Sequence, residues 1–196
     1  MQVIPNRWKP FIRSANRFAF GGMLLLAAAC SSDPADGQWI GDDVTRNDFE
    51  AVAGWGGADR STLTRDHAHS GRYAVLVDAG HETGLMFDLP LWEASVHPLA
   101  AIEVEAWVYL PSDKADARLQ MELVAGEGPE PRPTLQSEEL ILLSQVHDFK
   151  RWTAVHHIFR LKAGAPGSAH LRLFLKRGNS TEPVYIDDVR VKAREW

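Results

Sequence analysis

This chain has a single cysteine, Cys30, so no internal disulfide can staple it and no cysteine cluster can hold zinc. Its apolar runs fall short of the roughly 20 residues that span a bilayer, which argues against a retained transmembrane helix. Cations are also in deficit: 21 Lys and Arg stand against 26 Asp and Glu, a net charge of −5. That balance excludes the basic footprint of a nucleic-acid binder and leaves no electrostatic pull toward anionic lipid. No window of helical length sustains a 3.6-residue apolar period, and there is no internal repeat. Neither a nucleophile elbow nor a glycine-rich phosphate loop occurs.

The first 30 residues carry a three-part pattern. A basic start (Arg7, Lys9, Arg13, Arg17) leads into an apolar stretch over 18–26, then Ala27, Ala28, Ala29 and Cys30. That is the layout of a secretory signal with small residues at the cleavage point. The run resembles the signal and lipobox of a bacterial lipoprotein, departing from it at Ala27, where Leu is commoner; Leu26 is adjacent. The resemblance implies cleavage before Cys30 and acylation of its thiol, palmitate included. Ser31 stands where an aspartate would mark inner-membrane retention, so an outer-membrane lipoprotein is expected, facing the periplasm or the cell surface. All four cations before Cys30 leave with the signal and no acid does, so the mature chain is more negative still. The expected organisation is a signal peptide over 1–29, the lipidated cysteine and a Ser-, Asp-, Gly- and Pro-rich tether over 30–46, and one domain over 47–196.

From Phe49 onward, short runs bounded by Gly, Pro, Asp and Ser alternate apolar and polar residues. Strands are expected over 49–52, 72–78, 82–89, 102–110, 118–124, 138–143, 153–161, 170–176 and 184–192, with one short helix in 91–99. The fold class is all-β, an antiparallel sandwich or barrel. Because successive strand residues point to opposite faces, Ile102, Val104, Ala106, Val108 and Leu110 share one side and Glu103, Glu105, Trp107 and Tyr109 the other. Likewise Leu119, Met121 and Leu123 oppose Arg118, Gln120 and Glu122, and Leu171, Leu173 and Leu175 oppose Arg172, Phe174 and Lys176. Val155, His157, Phe159 and Leu161 oppose Ala154, His156, Ile158 and Arg160.

The polar side of these strands is richer in rings than a plain solvated face. Sugars present apolar C–H faces beside hydroxyl rims, so a site for them wants flat aromatics next to bidentate polar groups. Trp107, Tyr109 and Phe174, with Arg118, Gln120, Glu122, His156 and Arg172, are the candidate carbohydrate-binding residues, provided the strands lie side by side. The alternative is that loops or the tether cover the rings as a second small core.

Several motifs in order carry a second resemblance: NDFEAVAGW (47–55), HAHSGRYAVLV (67–77), RWTAVHHIFRL (151–161), HLRLFL (170–175) and VYIDDVRV (184–191). Together they resemble the galactose-binding-domain-like jelly roll of carbohydrate-binding modules, especially those that grip xylan or glucan, over nearly all of 47–194. The resemblance implies a β-sandwich, a poly- or oligosaccharide ligand and a structural calcium clamping first and last strands. Its ligands would be Glu50 and Asp187 or Asp188, with backbone oxygens from the turn at Ser70, Gly71 and Arg72.

Other chemistry is weaker. His67 with His69, and His156 with His157, lack a third zinc ligand at a defined spacing. Glu103, Glu105 and Glu122 could suggest a glycosidase, since two facing carboxylates hydrolyse glycosidic bonds, but charged residues on an exposed sheet face are the commoner meaning. The reading is a non-catalytic, membrane-anchored carbohydrate binder; the alternative is an accessory lipoprotein whose sandwich binds a protein partner.

Overall fold

The computed structural model describes residues 39–51, 54–56, 60–126 and 131–196, with side chains from residue 43 onward. The signal, Cys30 and the tether up to residue 38 lie outside the described residues. Among the described residues, eleven strands form two antiparallel sheets packed face to face. One sheet holds β3 (Leu63–Thr64), β4 (Ala74–Val77), β11 (Val184–Glu195), β6 (Leu99–Tyr109) and β9 (Trp152–Arg160) in that order, and β1 (Trp39–Asn47) also pairs with β11. The other runs β2 (Trp55–Gly56), β5 (Thr83–Pro90), β10 (His170–Arg177), β7 (Ala117–Val124) and β8 (Thr134–Ile141). The chain is therefore the all-β antiparallel sandwich that its alternation points to.

Alternating side chains make the core. Ile102, Val104, Ala106 and Val108 from β6 face Leu119, Met121 and Leu123 from β7 and Leu171, Leu173 and Leu175 from β10, all buried. On β11 the inward set changes parity, from Val184 and Ile186 to Val189, Val191 and Ala193. A bulge explains the change: register with β6 shifts between Asp187 and Arg190, and Asp188 takes a left-handed φ of 48°. Asp188 thereby leaves the regular ladder at mid-strand, next to Asp187, which still pairs with Trp107.

Three expectations need correction. Residues 39–46 are not tether: β1 pairs with the second half of β11, from Asn47↔Val189 to Trp39↔Arg194. The strand expected over 49–52 is instead a bend over 49–51, with Phe49 at φ 57° and its ring buried against Trp55, and residue 52 lies outside the described residues. The helix expected in 91–99 is a single turn, α1 (Leu91–Ala94), after which β6 starts at Leu99.

The two sheets leave β8 and β9 as edges on the same side, and glutamines close the gap. Gln136 on β8 donates to the Arg160 carbonyl at 2.6 Å and accepts from the Lys162 N–H at 2.9 Å. Gln145 donates to the His156 carbonyl at 2.9 Å and accepts from its N–H at 3.2 Å.

Candidate functional site

The eight candidate carbohydrate residues fall on two opposite faces. Trp107 and Tyr109 on β6 and His156 on β9 point out of the sheet built on β6 and β11. Arg118, Gln120 and Glu122 on β7, with Arg172 and Phe174 on β10, point out of the other sheet. They are thus not one constellation. Alternation reports which way a side chain points, and says nothing of which sheet its strand joins.

On the first face the rings are covered. His69 stacks on Trp107 with centroids 3.9 Å apart and His67 on Tyr109 at 4.5 Å, while Trp152 and Tyr185 meet them edge-on. The two histidines lie two residues apart, as do the two rings beneath, so one extended loop caps both. A groove of about 580 Å3 remains beside Trp107, lined by Arg46, Glu105, His156, Asp188 and Arg190 among others. The glutamates of this face are engaged: Glu103 meets His156 at 2.6 Å and Lys192 at 3.7 Å, and Glu105 meets Arg190 and Lys192 at 3.7 Å. Glu122 lies on the opposite face, so these three carboxylates do not confront one another across a site.

The second face brings five of the eight candidates together. Arg172 is paired in register with Asp88 on β5 and Glu122 on β7, and Glu122 with Ser137 on β8, giving one polar row across four strands. The next row sets Phe174 between Met86 and Gln120, with Gln120 facing Glu139. Gln120 donates to Ser137 at 2.6 Å, and Arg118 donates to both carboxylate oxygens of Glu139 at 3.0 and 3.1 Å. Phe174 is almost wholly buried, so its ring packs the row rather than offering an open platform.

Asp88 is the hub that sequence reasoning missed. Its carboxylate accepts from Arg172 Nε at 2.8 Å and Arg132 at 3.5 Å and pairs with His170 Nδ1 at 2.5 Å. Burial alone would push its carboxyl up, but the hydrogen bonds from His170 and Arg172 and the Arg172 charge outweigh it, holding the group below the ordinary aspartate value. Asp88 alternates outward with Met86 along the expected strand, so its direction was legible and its neighbours were not. It also ends a groove of about 790 Å3 that runs along β5 past His81, Glu82, Thr83 and Met86 to the glycine-flanked Trp55. Two buried polar atoms with no hydrogen-bond partner among the described residues, Trp55 Nε1 and Thr62 Oγ1, belong to residues of this lining.

The side chains expected to hold calcium each hydrogen-bond to the turn at residues 69–73. Asp187, fully buried, accepts from the His69 and Ser70 N–H groups at 2.8 and 3.1 Å and from the Asp188 N–H at 2.7 Å. Asp188 accepts from Ser70 Oγ at 2.8 Å and pairs with His69 Nδ1 at 2.6 Å. Glu50 accepts from the Arg72 and Tyr73 N–H groups at 2.5 and 2.9 Å. Backbone bonding by Arg72 is the chief reason its carboxyl lies below the ordinary glutamate value. Gly71, at φ 56°, leaves room for that carboxylate: a Cβ there would lie 2.5 Å from Glu50 Oε1. Among the described residues no cluster of three or more acidic, histidine or cysteine side chains forms a metal centre. Glu50, Asp187 and Asp188 supply oxygens of the type that calcium takes, and the partners of the buried Asp187 among the described residues are N–H dipoles.

No protein-family model matches this chain, and no curated protein matches it. Solved structures do. The CBM22-1 xylan-binding domain from Paenibacillus barcinonensis Xyn10C aligns with a TM-score of 0.50 at 18% identity, covering 80% of this chain and 97% of its own. The CBM22-2 xylan-binding domain of the same protein aligns with a TM-score of 0.50 at 14% identity, covering 76% and 99%. A family 16 carbohydrate-binding module does so with a TM-score of 0.50 at 12% identity, again covering 76% and 99%. At these identities the likeness is one of fold, and the fold of this chain is the β-sandwich of those carbohydrate-binding modules.

Proposed function

We propose that this domain is a non-catalytic binder of a polysaccharide chain, of the xylan or β-glucan kind, held on the outer face of the five-stranded sheet. The observation that carries the reading is the groove along β5 running into the row Asp88, Arg172 and Glu122. Its volume lies within the roughly 300–1,000 Å3 of ligand clefts, and the row supplies a preorganised guanidinium flanked by carboxylates, suited to paired hydroxyls. Support also comes from the solved neighbours, two of which are xylan-binding domains. Arg118, Glu122 and Arg172 keep their candidate roles there, joined by Asp88, while Gln120 and Phe174, both buried, pack the row beneath them. Trp107, Tyr109 and His156 would serve only a ligand in the separate groove beside Trp107.

The ion pairing of Glu103 and Glu105 supports a binding rather than hydrolytic role. Calcium at Glu50, Asp187 and Asp188, and an acyl anchor at Cys30 that holds the domain on the outer membrane, complete the proposal. Calorimetric titration of the protein with xylan, glucan, mannan and galactan fragments tests it. Arg172→Ala should weaken binding at least tenfold, in line with the roughly 2 kcal/mol that a binding anchor contributes, and Trp107→Ala should leave it unchanged. Loss of binding in Trp107→Ala alone would move the site to the other sheet. Absence of binding to every fragment would favour the protein-partner role instead.

A further inference from the structure

We propose that the end of the sandwich carrying Trp92, Val96 and Trp196 is a membrane-contact surface whose occupant is the interfacial region of a phospholipid bilayer. The proposal rests on the reading of Cys30 as an acylated anchor.

These three side chains are 60%, 90% and 54% exposed, and all line one cavity of about 340 Å3 with Pro98, Leu91 and the glycines of the 164–167 loop. Burying apolar side chains is the main driving force of folding, yet here two indoles are held outward on fixed backbone. The Leu91 and Trp92 N–H groups donate to the Ala169 and Gly167 carbonyls at 2.8 and 3.0 Å, and the Trp196 N–H donates to the Pro98 carbonyl at 3.2 Å. Among the described residues no Lys or Arg lines the cavity. Its nearest polar groups satisfy one another: Ser95 Oγ donates to Glu195 and accepts from the His97 N–H, and His97 Nδ1 meets Glu195 at 3.3 Å. They leave little to grip a sugar's hydroxyls, whereas an indole with an apolar body and one N–H is at home among lipid headgroups.

Connectivity argues for the same occupant. β1 begins at Trp39, paired with Arg194, and β6 begins at Leu99, paired with Glu195. The covalent chain from Cys30 therefore joins the domain within a ladder step of Trp196 and Pro98. Eight residues, 31–38, separate Cys30 from Trp39, and the nine chain steps reach about 30 Å at full extension. An acyl chain on Cys30 would thus keep this end, rather than the opposite one, close to the bilayer.

The test uses the full acylated protein reconstituted into phosphatidylcholine–phosphatidylethanolamine vesicles with and without brominated acyl chains. Brominated lipid should quench part of the tryptophan emission of the wild type. The Trp92→Ala/Trp196→Ala double variant should lose most of that quenching while still floating with the vesicles and unfolding at an unchanged urea midpoint. Equal quenching in the variant, or none in a wild type that floats, overturns the membrane contact and leaves the anchor standing. A protein that neither incorporates labelled palmitate nor floats overturns the anchor, and the proposal with it. If xylan fragments rather than vesicles shield the indoles of Trp92 and Trp196 from iodide, the cavity is a sugar site and the proposal fails.

Discussion

Replacing Gly71 with Ala is the most direct probe of the turn to which Glu50, Asp187 and Asp188 hydrogen-bond. Two effects act together. At φ 56° an L-residue is strained by roughly 1–2 kcal/mol. The new Cβ would also lie 2.5 Å from Oε1, 2.7 Å from Cδ and 2.9 Å from Cγ of Glu50, inside any tolerable contact. Glu50 must then swing away, and the N–H groups of Arg72 and Tyr73 lose their acceptor. The backbone part alone lowers Tm by roughly 2–8 °C for a domain of this size, and the displaced carboxylate adds to it. Urea unfolding followed by fluorescence gives the free energies. The decisive comparison is a cycle with Glu50→Ala, which removes the side chain that the methyl group strikes. In that background Gly71→Ala should cost only the backbone strain, so the two single changes should sum to more than the double. Additivity within about 0.5 kcal/mol, or a Gly71→Ala protein as stable as the wild type, would refute the steric account.

Three other expectations concern neighbouring groups. Burial pushes the Asp187 carboxyl up to about 6 from an ordinary 3.8, against the pull of the Ser70, Asp188 and His69 N–H groups. The folded state therefore binds the proton more tightly. Without a bound cation, stability should fall as pH rises from about 4 to 6, by on the order of 3 kcal/mol, and Asp187→Asn should abolish that slope in urea melts at graded pH. Calcium at the turn reverses the sign, since acid would then displace a stabilising ion; excess chelator should lower Tm at neutral pH, and an unchanged melting curve would exclude the ion. Trp107→Ala should lose the His69 stack, worth about 0.5–1.5 kcal/mol, and shift the His69 ring resonances in NMR spectra; unmoved resonances would contradict the stacking.

The sandwich was legible because alternation is strict where it matters: Val104 to Leu110, Leu119 to Leu123 and Leu171 to Leu175 all point inward as read. Sheet membership was not, because outer faces of either sheet carry the same mix of polar and aromatic residues. Trp107 and Arg172 therefore looked like neighbours and stand on opposite surfaces. β1 was hidden by its own composition: WIGDDVTRN holds a glycine and two aspartates, and it becomes a strand because β11 extends beyond β4 and offers an unpaired length. The parity change at Asp187 and Asp188 likewise needs a bulge that alternation cannot announce. The covering of Trp107 and Tyr109 did leave a trace, the matching two-residue spacing of His67 and His69, and it pointed to the rings only once the loop's path was known.

The glutamines along β9 have a consequence for how this protein behaves in company. An open strand edge is a template on which another chain can add itself, the first step toward fibrils. At His156, and again at Arg160 and Lys162, a primary amide occupies the carbonyl and the N–H that an incoming strand would need. A glutamine side chain reproduces one peptide unit and then stops, so each caps the edge without extending it. Removing Gln136 and Gln145 would free that edge with the hydrophobic core intact, and the defect would show as self-association that grows with protein concentration.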